Sequence, residues 1–403
     1  MTLEFSKPFT QQEPISESTI ERVGELLKSG RLHRYNTMPG ELGEAALLER
    51  EYAEYQGSRF CLACSSGGYA LHVAMRAAGV KPGDTVLANA YTLAPVPGAI
   101  HNAGGVPLFV EIDADWHIDL ADLENKAKES GARFLMLSHM RGHIADMSAI
   151  AEICSTFNIT MIEDCAHTMG ARWAGTRSGN FGHVAAFSAQ TYKHINSGEG
   201  GLLTTDDPDI AARAIVMSGS YMLYETHGAR PDDRHFDAIK LETPNYSGRM
   251  DNLRAAILRD QLKGLDENVQ RWNARYQVLE AVVGGSSEIY VPSRAQQEEY
   301  VGSSFQFRPN LEGKEIEKLL QNCMERGVDV KWFGADAPKA FTSRFDSWRY
   351  LGEPQELPQT QSVLANTCDI RVPLTFTVDD CKVVGAIIVE EVERLVADFG
   401  ARA

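Results

Sequence analysis

Thr160-Met161-Ile162-Glu163-Asp164 and, further on, Val184-Ala185-Ala186-Phe187-Ser188-Ala189-Gln190-Thr191-Tyr192-Lys193 decide how this chain reads. Each opens on a short apolar run of the kind that forms a strand buried on both faces. The first run delivers a carboxylate, Asp164, at its carboxyl end; the second leads to an amine, Lys193, 29 positions later. A carboxylate and an amine presented from neighbouring strand ends are what a pyridoxal phosphate site requires. The amine forms a Schiff base with the cofactor aldehyde, and the carboxylate keeps the pyridine nitrogen protonated so that the ring accepts electrons. Most lysines are solvated surface charges, and at a free pKa near ~10.4 the amine is a poor nucleophile. Covalent attachment removes that handicap, and the amine released in turnover can act as general acid and base. Lys240, Lys263 and Lys331 stand in no comparable surroundings.

Working outward, short apolar runs alternate with helical patterns through the first 215 residues. Strands are expected at 85–90, 106–112, 134–138, 160–163, 184–187 and 201–205, and helices at 70–78, 120–129, 147–156 and 209–217. This alternation predicts an α/β fold with a mainly parallel sheet, whose ligands bind at the carboxyl ends of the strands. From Met250 to Leu279 apolar residues recur at three- to five-residue steps, the pattern of a long amphipathic helix, with Gly264 a place for a kink. Beyond it, strands are expected at 305–309 and 328–332 and helices at 314–326 and 378–399. The division that follows is a large domain over residues 1–258 and a smaller carboxyl-terminal α+β domain over 259–403. The polar stretch 231–244 reads as a surface loop.

With 43% apolar and 23% charged residues the chain has the composition of a soluble globular protein. A net charge of −16 argues against nucleic acid or an anionic membrane as partner, and it means that an anionic substrate must be held by local cations. No basic segment with an apolar core opens the chain, and no apolar run approaches about 18 residues. Seven scattered cysteines suit reduced thiols, so the expected location is the cytoplasm. Cys61 and Cys64 form a lone C-x-x-C without a second pair, and His139 and His143 flank a strand end; no metal is expected at either.

Around the carboxylate and the amine, further residues fit the same cofactor. Ser66-Gly67-Gly68 precedes a helix, where small residues and free N–H groups can cup a phosphate, and Ser188 can add a hydroxyl. Tyr91, after the strand at 85–90, could stack on the pyridine ring. His167 could hydrogen-bond the phenolic oxygen. Each has a plainer reading, as a strand-to-helix turn, a core tyrosine and a structural histidine.

Taken together, Lys7-Pro8, Ser66-Gly67-Gly68-x-Ala70-Leu71, Pro82-Gly83-Asp84, Glu163-Asp164-Cys165-Ala166-His167, Phe187-Ser188-x-Gln190-x-x-Lys193, Gly198-Glu199-Gly200-Gly201, Arg249-Met250 and Val372-Pro373-Leu374 resemble the DegT/DnrJ/StrS-type (sugar) aminotransferases, a family of fold-type I pyridoxal phosphate enzymes. The resemblance implies a homodimer with shared active sites and a ping-pong reaction. Lys193 would carry the cofactor, Asp164 would partner the pyridine nitrogen, Tyr91 would stack on the ring, and Ser66, Gly67, Gly68, Ser188 and Gln190 would line the cofactor site with His167. From the partner subunit, Asn245 or Ser247 would reach the phosphate. The chain departs from the family's pattern at Gly68, where a threonine is usual, and at Arg141, where an aromatic is usual. Arg141 could clamp an anionic group or form an ion pair; Arg34 and Trp332 are further candidates for substrate contact.

The expected activity is transfer of an amino group from an amino acid, glutamate or glutamine, to a keto sugar, nucleotide-linked by the family's habit. The alternative is the same chemistry on a small non-sugar keto or aldehyde compound bearing an anionic group, which Arg141 favours. Dehydrating relatives replace the lysine with histidine, so Lys193 argues against a dehydratase. A non-catalytic cofactor-binding regulator is disfavoured by intact Asp164, Ser188 and Lys193.

Overall fold

The computed structural model describes residues 3–400. Its large sheet has seven strands in the order Phe60–Cys64, Gly201–Thr205, Val184–Ser188, Thr160–Asp164, Phe134–Ser138, Thr85–Asn89 and Val106–Val110. The five strands from Val184–Ser188 to Val106–Val110 are parallel; at the other edge Gly201–Thr205 runs against them, and Phe60–Cys64, antiparallel to Gly201–Thr205, runs with them again. The parallel strands expected from the sequence are all present to within a residue or two. Their apolar runs exist because helices cover both faces: Leu71, Val73 and Met75 pack on one side, Leu123, Ile150 and Trp272 on the other.

Two registers set up the site. Ser138 pairs with Asp164, and Asp164 with Ala186, so three neighbouring strands end at one level. The helix Gly67–Ala77 then starts directly above Val184–Ser188. A Cβ on Gly67 would sit 2.7 Å from the Ser188 Cβ, so only glycine allows the helix start to come this close.

The long amphipathic pattern is two helices, Asn252–Lys263 and Leu265–Val283, broken at Gly264. The expected boundary at 258/259 needs correction. Leu258, Leu262 and Leu265 belong to the core beneath the large sheet, and only from Tyr276 onward does the second helix enter the core of the small unit. The small unit also recruits the amino terminus: Phe5 and Phe9 lie edge-on to Phe376, with ring centres 4.8 and 4.9 Å away. In the other direction, Phe345, Trp348 and Leu357 pack into the core of the large domain.

The small unit is built on an antiparallel sheet in the order Ile289–Tyr290, Ser304–Pro309, Cys368–Arg371 and Lys331–Trp332. Strand alternation divides it cleanly. Phe305, Phe307, Cys368 and Ile370 join the apolar core with the helices Lys314–Glu325 and Val378–Gly400. Ser304, Gln306, Asp369, Arg371 and Lys331 alternate with them and, by register, share the opposite face. The strand Cys368–Arg371 and the helices Glu44–Gln56, Pro95–Asn102 and Pro358–Ala365 are not among the elements expected from the sequence. The stretch 231–244 is irregular as expected, except for one turn of helix, Arg234–Asp237, that buries Phe236 against Tyr224.

Candidate active site

A cavity opens at the carboxyl ends of the parallel strands, lined among others by Gly67, Gly68, Asp164, His167, Ser188, Gln190 and Lys193. Of the expected cofactor residues, seven therefore share one wall. The Ser138 hydroxyl donates to Oδ2 of Asp164 at 2.7 Å and the Ala166 N–H donates to Oδ1 at 3.1 Å. The carboxylate is thus fixed in orientation at the strand end.

Lys193 Nζ lies 2.8 Å from Nε2 of His167, and the other ring nitrogen, Nδ1, accepts the Arg141 backbone N–H at 3.3 Å. That acceptor role places the ring proton on Nε2, where it points at the lysine amine. An ammonium cannot accept it, so the arrangement requires neutral Lys193. The same conclusion follows from electrostatics. Burial, reinforced by the nearby charges of Arg141 and Arg371, pushes the Lys193 amine down to about 7 against a smaller opposing pull from Asp164. Burial and the lysine likewise hold His167 well below its usual range. The result is an amine in the cavity wall that sheds its charge as the pH rises through about 7 and is largely neutral above it.

Several expected residues stand elsewhere. The hydroxyl of Ser66 accepts the Tyr69 N–H at 3.1 Å and caps the helix Gly67–Ala77; it is spent on the helix start and not on the cavity wall. Tyr91 is 1% exposed and turns into a core cluster, edge-on to Phe333 at 5.2 Å. Leu93, two residues on, takes the place on the wall expected for Tyr91, so the cover there is aliphatic. Arg34 does not face the cavity: both its terminal nitrogens reach Glu49 at 2.9 Å, with the two side chains 1% and 0% exposed. It is a buried ion pair tying the amino-terminal segment to the helix Glu44–Gln56. Trp332 donates its indole N–H to the Ala365 carbonyl at 2.8 Å, and strand alternation presents its neighbour Lys331 to the cavity instead. Lys331 thus has the surroundings that its sequence context hides. Asn245 and Ser247 lie in an exposed turn, bonded to each other, and do not line this chain's cavity.

Arg141 does line it, from a backbone position with φ of +56°, and its Nη2 lies 2.9 Å from the buried Oδ2 of Asp369. Arg371, absent from the expected set, stacks its guanidinium on Tyr192 at 3.6 Å from the ring centre. An acidic and a basic residue two apart within Cys368-Asp369-Ile370-Arg371 is the alternation that could have revealed it.

His139 and His143 part ways, the first to Glu163 at 3.1 Å, the second to Gln306 at 2.7 Å. His139, Glu163 and Cys165 do cluster, but the Glu163 carboxylate already accepts the N–H groups of Gly179, Phe181 and Gly182. Its lone pairs are committed to holding the loop that follows. All seven cysteines are free and buried, and among the described residues no helix is long and apolar enough to cross a membrane.

Comparison with known proteins agrees with this geometry. The model of the DegT/DnrJ/EryC1/StrS aminotransferase family matches residues 13–389. The pleiotropic regulatory protein of Geobacillus stearothermophilus is 33% identical over 281 residues, 68% of this chain and 70% of that protein. GDP-perosamine synthase of Caulobacter vibrioides is 34% identical over 223 residues, 55% of this chain and 57% of that enzyme. The 3-amino-5-hydroxybenzoate synthase of Amycolatopsis mediterranei is 29% identical over 317 residues, 78% of each chain. A crystal structure of a 3-amino-5-hydroxybenzoic acid synthase shares the fold, with a TM-score of 0.80, 23% identity, and coverage of 97% of this chain and 100% of that one.

Proposed function

The chain belongs to the DegT/DnrJ/EryC1/StrS aminotransferase family, and from that premise we propose that it moves an amino group from glutamate or glutamine to a keto-bearing sugar or sugar-like ring, using pyridoxal phosphate held in the cavity around Lys193. The single observation that carries this reading is the amine of Lys193 in the cavity wall, 2.8 Å from Nε2 of His167 and beside an oriented Asp164.

The residues present fit that cofactor. Gly67 is bare where a Cβ would strike Ser188, and a Cβ on Gly68 would meet only Pro95, at 3.8 Å, so the helix N-terminus and the Ser188 hydroxyl form a cradle for a phosphate. Asp164 would hold the pyridine nitrogen, Lys193 would bind the aldehyde, and Leu93 with Ala166 would cover the ring faces. When bound, pyridoxal phosphate supplies an electron sink for the charge left as a proton leaves the amine-bearing carbon.

The chain's own residues supply the remainder. Ser138 and the Ala166 N–H keep Asp164 from rotating away from the ring nitrogen. With its pKa near 7, Lys193 can accept a proton at neutral pH and return it one carbon away without a large energetic step. His167 steers the amine from 2.8 Å.

A homodimer fits the exposed turn carrying Asn245 and Ser247, which would add a polar contact to a partner's phosphate cradle; Tyr221, Met222 and Leu241 are exposed apolar residues of the surrounding segment. Cytoplasmic location is the companion proposal, consistent with seven reduced thiols. Relatives' names range from a GDP-linked amino sugar to an aminobenzoate, so the ring to be aminated is proposed as a class.

The test is covalent attachment. Borohydride reduction of the protein incubated with pyridoxal phosphate should add the cofactor to the peptide containing Lys193, and glutamate added beforehand should abolish that labelling. Labelling elsewhere, or label unaffected by Lys193→Ala, overturns the assignment.

A further inference from the structure

The polar face of the small sheet closes the cavity opposite the large sheet and brings positive charge with it. Arg141, Lys331 and Arg371 all line the cavity. Asp369 answers one of them, at 2.9 Å from Arg141, and its other oxygen accepts the Gln306 amide at 2.7 Å. Asp329 acts on both Lys331 and Arg371, but at more than ion-pair distance. Among the described residues neither Lys331 nor Arg371 has a salt-bridge partner, and the Nε of Arg141 is buried without a hydrogen bond. Arg371 stacks on the ring of Tyr192 and donates to its carbonyl at 3.4 Å.

On the side of the small sheet three cations thus face Asp369 and, beyond ion-pair distance, Asp329, leaving positive charge unanswered in a half-buried wall, while Asp164 stands across the cavity at the end of the large sheet. An uncompensated buried charge costs several kcal/mol, about as much as a well-placed anion would return. Ser303 and Ser304 line the same corner; the Ser303 hydroxyl, 3.0 Å from Nε2 of His194, can accept there and donate into the cavity, whereas that of Ser304 is directed to the Arg141 carbonyl at 3.5 Å. Surplus charge with a flanking hydroxyl suits a monoanion with two oxygens, that is, a carboxylate; a diphosphate would bring more charge than the wall can answer.

We infer that Arg141, Lys331 and Arg371 form the seat of a carboxylate carried by the amino acceptor, so that the acceptor is a keto acid on a sugar or other ring. This rests on the amino-transfer reading of the cavity. Glutamate brings carboxylates of its own, and the test separates the two sources.

Calorimetry on the purified holoenzyme would compare 4-oxocyclohexanecarboxylate, its uncharged methyl ester and glutamate. The acid is expected to bind about ten-fold or more tightly than the ester, as a charge-assisted contact implies. In Lys331→Gln and Arg371→Gln that preference should fall at least five-fold, and the acid should lose more affinity than glutamate does. Equal binding of acid and ester overturns the inference, as does a loss for glutamate matching that for the acid, which would assign the seat to the donor. Lys331 is only partly buried, so Lys331→Gln carries the test should Arg371→Gln not fold. Failure of the wild type to retain pyridoxal phosphate would instead sink the reading of the site, whatever the acid does.

Discussion

Replacing Lys193 by methionine should make the cofactor-free protein more stable, and by an amount that depends on pH. In the unfolded chain the amine titrates at its ordinary 10.5; in the folded chain it is held at about 7, chiefly by burial. Between those values the unfolded state binds more protons, so stability rises with pH across the window and the cost of burying the amine is full only below about 7. At 1.36 kcal/mol per unit, the gap corresponds to roughly 5 kcal/mol at its largest and about 3 kcal/mol at pH 8. Methionine fills a similar volume and has no proton to lose, so the titrating groups that Lys193 does not act on cancel in the comparison, and the urea series stays above the ordinary range of the two histidines that it does act on, His167 and His194. Urea unfolding of the two proteins, stripped of cofactor, at pH 7.5, 8.5 and 9.5 should find wild type less stable, with the difference shrinking by about 1.4 kcal/mol per pH unit. A difference that stays flat with pH would refute the claim that Lys193 is buried uncharged, and with it the assignment of the His167 proton to Nε2.

Two further outcomes follow from packing. Gly67→Ala would drive its methyl to 2.7 Å from the Ser188 Cβ, and should cost about 1–3 kcal/mol and weaken cofactor retention at least ten-fold after dialysis, measured by absorbance; unchanged retention would mean that the cradle lies elsewhere. Arg34→Met would leave Glu49 buried without its cation and should lower urea stability by about 3–5 kcal/mol while amino transfer per folded molecule holds within about two-fold; a raised acceptor KM with stability intact would restore Arg34 to the substrate.

Much of this architecture was legible because burial on both faces leaves a plain signature. The runs at 134–137 and 184–187 are apolar without interruption and that at 160–164 has Met161-Ile162 at its centre, and the polar residues that end them, Ser138, Asp164 and Ser188, mark the rim. The rest of the site was hidden for definable reasons. Tyr91 and Leu93 are two apart on an irregular turn, where sequence gives no rule for which side chain faces inward. Lys331 and Trp332 are adjacent on a two-residue strand, too short for a period to register. Arg371 belongs to a four-residue strand whose polar face is buried by a distant domain, so its alternation reads as a solvated edge. Arg34 had the look of a cavity arginine because its partner, Glu49, lies in a helix that the sequence did not announce.

The amino-terminal phenylalanines carry a consequence for biogenesis. Phe5 and Phe9 leave the ribosome about 370 residues before the ring that clamps them, Phe376. Their backbone anchor comes late as well: the Phe5 N–H donates to the Arg326 carbonyl at 2.8 Å. During synthesis this leader strap has nowhere to dock, while the parallel sheet can assemble without it. Its docking therefore waits for the carboxyl-terminal core, and a change that displaces the strap would burden that core and spare the sheet that carries the lysine.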